Sequence, residues 1–186
     1  MKSVRVRWHV VVLVAVVAAF GLKFMLEKLV LPAPAPENFT LIEPGYYMGG
    51  QCTAPPPDVR AVLNLSQYAD SYGAEIHRWQ PIPDSEPAPS LSWLRDQVQF
   101  IDTQRKAGRP VFVHCDAGVS RSGLVSAAYF MWRDHLTREQ ALAFLRQRRP
   151  IVRPNRAFME LLGEWERELH APIEPAPVTS APRAPQ

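Results

Sequence analysis

His114-Cys115-Asp116-Ala117-Gly118-Val119-Ser120-Arg121-Ser122 decides the reading of this chain. It sets a cysteine at the end of the apolar run Pro110-Val111-Phe112-Val113, and an arginine six positions after the cysteine. The run is short, apolar and β-branched, the pattern of a buried strand. Ser122-Gly123-Leu124 opens a segment whose apolar residues recur at helical spacing through Trp132 and Leu136. A strand, a tight loop and a helix N-terminus turn successive backbone N–H groups toward one point, which makes an anion site. The helix dipole and Arg121 both favour Cys115 as thiolate over thiol. A thiolate beside a phosphate cradle is a nucleophile aimed at phosphorus. Alone, Cys115 would read as a buried structural thiol. With His114, Gly118, Arg121 and Ser122 in register around it, the catalytic reading is favoured.

Outward from this stretch the elements alternate. Phe39-Thr40-Leu41-Ile42 and Tyr46-Tyr47-Met48 bracket a Pro44-Gly45 turn and predict a hairpin. Val62–Leu65 and Ile76–Trp79 predict two more strands, and Leu91, Leu94, Val98 and Ile101 mark a helix that stops at Gly108. Thr137-Arg138-Glu139-Gln140 is a capping box that starts a helix through Ala141, Leu142 and Leu145. Phe158, Leu161, Leu162, Trp165 and Leu169 give a last amphipathic helix, with Asn155 as its N-cap. Strands alternating with helices predict an α/β domain, a central and mostly parallel sheet with helices on both faces. The cysteine loop then lies at a strand's carboxyl end, where such sheets bind ligands.

The ends of the 186-residue chain differ from this middle. Lys2, Arg5 and Arg7 precede an uncharged run from Val10 to Leu22, extended by Phe24, Met25 and Leu26 if Lys23 snorkels. Residues 1–30 therefore read as a membrane anchor, with a cleaved signal segment as the alternative. The basic residues before the run outweigh the flank after it, where Glu27 offsets Lys23 and Lys28. That balance expects the N-terminus in the cytoplasm and the domain on the far, extracytoplasmic side. Residues 31–37, with Leu31-Pro32-Ala33-Pro34-Ala35-Pro36, form a stiff linker. Residues 38–170 form the domain, and the Pro/Ala-rich 171–186 an expected disordered tail. The net charge of +3, with no long Lys/Arg run in the domain, argues against a nucleic-acid partner. Two cysteines, Cys52 and Cys115, provide neither a disulfide framework nor metal-ligand spacing.

Cleaving a phosphate ester leaves an oxygen that needs a proton, so the thiolate requires a general acid. Asp84, on the proline-stiffened loop Trp79-Gln80-Pro81-Ile82-Pro83-Asp84, can be carried over the phosphate site; Glu86 in the same loop is the alternative.

The nine-residue string resembles the HCxxGxxR-Ser/Thr signature of the cysteine-dependent protein tyrosine phosphatase superfamily. Its Ala-Gly-Val-Ser-Arg-Ser form is most similar to the dual-specificity phosphatases. That family also carries an aspartate on a proline-containing loop about thirty residues before the cysteine, and Asp84 lies 31 positions before Cys115. The strand ending in Asn64-Leu65 and the Arg149-Pro150…Pro154-Asn155 segment resemble the family too, so the likeness covers about residues 39–166.

The resemblance implies the roles. Cys115 forms a phosphocysteine, and Arg121 grips two phosphate oxygens in its fork. The backbone of Asp116, Ala117, Gly118, Val119, Ser120 and Arg121 holds the remaining oxygens. Asp84 acts as acid and then base, and Ser122 donates to the sulfur. His114 orients the loop from behind, since neighbours on a strand point to opposite faces. No metal or cofactor is implied.

The expected substrate is a protein bearing phosphotyrosine, phosphoserine or phosphothreonine, because the loop holds an aspartate and no lysine. The alternatives are a phosphoinositide or other non-protein phosphatase, or a weakly active phosphate-binding module. Cys52, after Gly49-Gly50-Gln51, reads either as a redox partner of Cys115 or as a bystander.

Overall fold

A computed structural model describes residues 37–171. Gly45, at φ 73°, closes a hairpin between β1 (Phe39–Glu43) and β2 (Tyr46–Gly49), which run antiparallel. β3 (Ala61–Asn64), β4 (Ile76–Trp79) and β5 (Val111–His114) complete a five-stranded sheet in the order β1-β2-β5-β3-β4. Every pairing except that of the hairpin is parallel. The sheet is mixed and mostly parallel, with β5 in its middle.

Four helices accompany it: α1 (Leu91–Lys106), α2 (Arg121–Asp134), α3 (Arg138–Arg148) and α4 (Arg156–His170). Strand register sorts the sheet into two faces. Tyr46, Val111 and Ala61 share one row, and Met48, Val113 and Leu63 the next. All six are fully buried in the main core with the apolar faces of the helices. α2 is buried from Arg121 to Met131, so it needs no polar face before its last turn.

The expectation of helices on both faces is corrected. Among the described residues the four helices pack on one another over this single face. The opposite face carries Tyr47, Phe112, Val62 and His114. Loops cover it: Trp79 Nε1 donates to the Ser66 carbonyl, and His114 Nε2 meets Asp70. The reason lies in the connections. β2 reaches β3 through a proline-rich segment, residues 50–60, and β3 reaches the parallel β4 through 65–75, with no helix in either crossover.

Helix ends follow the sequence closely. The Ser90 and Asn155 side chains accept from the N–H groups of Trp93 and Phe158, at 3.2 and 2.9 Å. Thr137 and Gln140 form the reciprocal capping box. α2 differs, because its N-cap residue Ser120 makes no side-chain bond to the helix end. Its first N–H groups are left for another acceptor.

No helix among the described residues is long and apolar enough to cross a membrane. The anchor or signal segment over 1–30, the linker up to residue 36 and the tail from residue 172 lie outside the described residues.

The Tyr46 hydroxyl, fully buried, donates to Ser126 Oγ at 2.9 Å and ties β2 to α2. Burial raises the Tyr46 pKa well above the usual phenol range. Tyr46→Phe strands the serine and should cost about 1–2 kcal/mol in urea unfolding, whereas Tyr46→Phe with Ser126→Ala should recover most of that loss. Equal losses in the single and double variants would show that the hydrogen bond is not the source.

Candidate active site

The loop between β5 and α2 is shaped from outside, by its carbonyls. Gln51 N–H donates to Asp116 O at 2.9 Å, and Arg153 N–H to Val119 O at 3.0 Å. Arg149 takes the next pair, Nε to Gly118 O at 2.8 Å and Nη2 to Ala117 O at 3.1 Å. Leu124 N–H, within α2, takes Ser120 O at 2.8 Å, and His114 Nδ1 lies 3.4 Å from Cys115 O. All six carbonyls from Cys115 to Ser120 are thereby engaged, which turns the loop's amides the other way. Gly118 makes the bend at φ 70°; a Cβ there would lie 2.4 Å from the Gly49 carbonyl carbon and 2.5 Å from Gly50 N. Only glycine fits.

Cys115 sits at the centre, 1% exposed. Gly118 N–H points at its Sγ from 3.3 Å, and Ser122 Oγ lies 3.4 Å away. Ser122 also reaches Gly49 O at 3.3 Å. A hydroxyl has one proton, so it serves either that carbonyl or the sulfur. While the thiol holds its own proton, Ser122 can donate to Gly49; once the sulfur is charged, the hydroxyl has a stronger acceptor to turn to.

Arg121 is buried, and its guanidinium is held on three sides. Nη2 donates to Asp116 Oδ2 at 2.7 Å, and Nη1 lies 3.4 Å from both Leu65 O and Ile82 O. Nε is buried with no partner among the described residues. Burial alone would raise the Asp116 carboxyl, but the Ser66 hydroxyl and Arg121 outweigh it and hold the group below the usual carboxylate range. Asp116, expected only as loop backbone, is thus the partner that orients Arg121. The free Nε–H and the second Nη2 proton form the side of the fork left for an oxyanion.

Asp84 stands at the rim. Its Oδ1 accepts from Ser120 Oγ at 2.6 Å and from Asn155 Nδ2 at 2.9 Å, while Oδ2 is 4.0 Å from Arg121 Nε. Ser120 Oγ also accepts from Asn155 N–H at 3.0 Å, so the start of α4 is fastened to both the loop and Asp84. Of the two carboxylates weighed for this place, only Asp84 is there. Glu86 instead lines a cavity of about 520 Å³ with Pro87, Glu160, Leu161 and Glu164.

Cys52 takes another course. Its thiol donates to the Tyr72 hydroxyl at 3.6 Å, and neither cysteine is in a disulfide. Burial raises the Cys52 pKa, with the Tyr72 contact opposing that only in part.

A family model described as "Dual specificity phosphatase, catalytic domain" matches residues 51–168. Human dual specificity protein phosphatase 1 is 35% identical over 116 residues, 61% of this chain and 32% of that protein. Rat dual specificity protein phosphatase 5 is 36% identical over 121 residues, 64% of this chain and 31% of that protein. The chain therefore spans about a third of the length of these curated relatives. The crystal structure of human DUSP28 superposes with a TM-score of 0.68 at 24% identity, covering 75% of this chain and 99% of that one. That likeness shows the fold.

Asn155 does two jobs that a serine separates, since Ser caps a helix as well as Asn but cannot reach Asp84 with an amide. Asn155→Ser should leave thermal stability nearly unchanged. Hydrolysis of phenyl phosphate, a poor leaving group, should slow roughly tenfold through misplacement of Asp84, with a smaller change on p-nitrophenyl phosphate. Equal effects on both substrates would sever Asn155 from Asp84.

Proposed function

The chain belongs to the dual specificity phosphatase catalytic-domain family, and on that premise we propose that it hydrolyses phosphate monoesters through a phosphocysteine. One arrangement of three side chains carries the reading. Cys115 Sγ faces an N–H of its own loop, the buried Arg121 Nε–H has no hydrogen-bond partner among the described residues, and Asp84 stands 4.0 Å from that nitrogen.

The chemistry follows from these positions. The Cys115 thiolate attacks phosphorus; the S–P bond forms as the bond to the leaving oxygen breaks. Asp84 gives that oxygen its proton, so the alcohol or phenol departs neutral. Arg121 and the loop amides hold the three equatorial oxygens where charge is spread in the transition state. Asp84, now a carboxylate, takes a proton from water as the water oxygen bonds phosphorus and the S–P bond breaks. The sulfur leaves as thiolate, with the Ser122 hydroxyl turned toward it. Phosphate is the second product.

Phosphotyrosine, phosphoserine or phosphothreonine in proteins is the substrate class. The loop holds a carboxylate, Asp116, and no lysine, which disfavours polyphosphorylated headgroups. Tyr68 and Trp79 are 65% and 44% exposed beside Ser66, the residue that bonds Asp116, and offer apolar edges to an aryl ring. The curated relatives are named as protein phosphatases. Residues 1–30 anchor this domain to a membrane as a single pass, with Lys2, Arg5 and Arg7 on the cytoplasmic side and the domain on the other.

Cys115→Ser should abolish turnover of p-nitrophenyl phosphate while phosphate still binds. Asp84→Asn should slow poor leaving groups by ~10²–10⁴-fold. Arg121→Lys should lower kcat/KM and weaken vanadate inhibition together, because charge is kept but the fork is lost. Retained turnover in Cys115→Ser would sink the mechanism. A panel of phosphopeptides and phosphoinositides reads the substrate class, and preference for the lipids would overturn the protein assignment. A reporter fused to the C-terminus reads topology; a cytosolic signal would overturn the orientation.

A further inference from the structure

Behind the nucleophile, on the loop-covered face of the sheet, lies a chain of buried titratable groups that the mechanism above does not use. His114 is fully buried and stacked on Phe112, ring centroids 4.8 Å apart. Its Nδ1 lies 3.4 Å from Cys115 O, and its Nε2 lies 3.0 Å from Asp70 Oδ2. The same Asp70 oxygen lies 2.8 Å from His77 Nε2, while Asp70 Oδ1 is buried with no partner among the described residues. The Asp70 side chain is 0% exposed and that of His77 is 28% exposed, so His77 is the end nearer solvent.

Both ring nitrogens of His114 face acceptors. A neutral imidazole carries one N–H, so it can satisfy only one of them; the imidazolium satisfies both. Of the six loop carbonyls, five are held by backbone amides or by the Arg149 guanidinium, donors that keep their protons throughout the working pH range. The sixth, that of Cys115 itself, is held by the one donor whose proton depends on a partner.

We infer that Asp70 is a positioning residue for the nucleophile: its buried carboxylate keeps His114 doubly protonated, and His114 in turn holds the Cys115 carbonyl and lays a positive edge beside the thiolate. This rests on Cys115 being the nucleophile. The surroundings agree with an ionised Asp70. Burial pushes its carboxyl upward, but the hydrogen bonds from His114 and His77 outweigh that and hold it below the usual range. Tyr72 and Cys52 also face Asp70, and both are raised by burial and so stay neutral. Around Cys115 the other charges are Arg121 with Asp116 and Asp84, and Arg149, whose guanidinium is pushed down by burial and up by its attraction to Cys115.

The sign of the effect follows. Without the carboxylate, a buried imidazolium is uncompensated and loses a proton. The thiolate then loses a nearby positive charge and forms only at higher pH.

The test is Asp70→Asn, near in shape and lacking the charge. Iodoacetamide labelling of Cys115, read by peptide mass spectrometry against pH, follows the thiolate whatever the substrate is. The midpoint should move up by about one pH unit, so that near pH 6 kcat/KM falls about tenfold and recovers at alkaline pH. Vanadate inhibition at alkaline pH should stay near normal, because an asparagine still lets the ring hold the carbonyl. An unmoved labelling midpoint, with activity lost equally at every pH, would reduce Asp70 to a packing residue and overturn the inference. If Asp70→Asn does not fold, long-range ¹H–¹⁵N spectra of the unaltered protein decide the matter. Protons on both His114 nitrogens at neutral pH support the inference, and a single neutral tautomer overturns it. Loss of the phosphatase reading would show separately, as retained turnover in Cys115→Ser.

Discussion

A loop that points its amides at an anion must dispose of its carbonyls elsewhere, and that requirement organises the rest of this domain. The donors that meet it come from distant parts of the chain. Gln51 follows the end of β2, Arg149 follows α3, Arg153 precedes α4, and His114 ends β5. Arg149 binds the most partners. It takes two loop carbonyls and also donates to Asn38 Oδ1 at 2.7 Å and Thr40 Oγ1 at 3.2 Å, tying the entry of β1 to the loop. Burying a guanidinium is unfavourable unless its protons find acceptors. Here each acceptor is neutral, so Arg149 keeps its full charge beneath the loop. The packing of β1, α3 and α4 around this point is therefore a condition of the site.

The parts of the fold legible in the sequence are those fixed by short-range chemistry. The strand–loop–helix around Cys115, the Pro44-Gly45 hairpin, the Thr137–Gln140 capping box and the Asn155 cap each follow from residues within a few positions of one another. The layering was not legible. Counting alternating strands and helices says nothing of whether residues 50–60 or 65–75 carry a helix, and in this chain they are loops. Polar partners set by tertiary contact were invisible for the same reason. Asp70 meets His114 across 44 positions, Ser66 meets Asp116 across 50, and Asn38 meets Arg149 across 111. None belongs to a local pattern. Ser120 was legible as a loop residue, but its hydroxyl, which fastens Asp84 and α4, was not.

Asp84 and Glu86 show why spacing alone could not separate two candidates. They stand two residues apart on a stiff segment, and either could be swung over the loop on paper. What separates them is a set of donors. Ser120 and Asn155 both converge on one oxygen of Asp84, whereas Glu86 lines a cavity that Glu160 and Glu164 also line. With its Oδ1 held, Asp84 leaves Oδ2 free, the oxygen that would carry the transferred proton in the proposed mechanism. That oxygen is also the one nearest Arg121.

The charges around the loop come close to balancing. Arg121 is matched by Asp116 in direct hydrogen-bond contact, and the imidazolium inferred for His114 would be matched by Asp70. Arg149 has no carboxylate partner among the described residues and supplies the uncompensated positive charge that a buried thiolate requires. A site built in this way has little positive charge to spare. One phosphoryl group, met by the loop amides and the free edge of Arg121, uses what there is. A second phosphate would meet Asp116 at the rim with no lysine to offset it. On the proposed reading, the single uncompensated charge of Arg149 lets the nucleophile ionise in a closed, buried pocket and leaves none to meet a second phosphate.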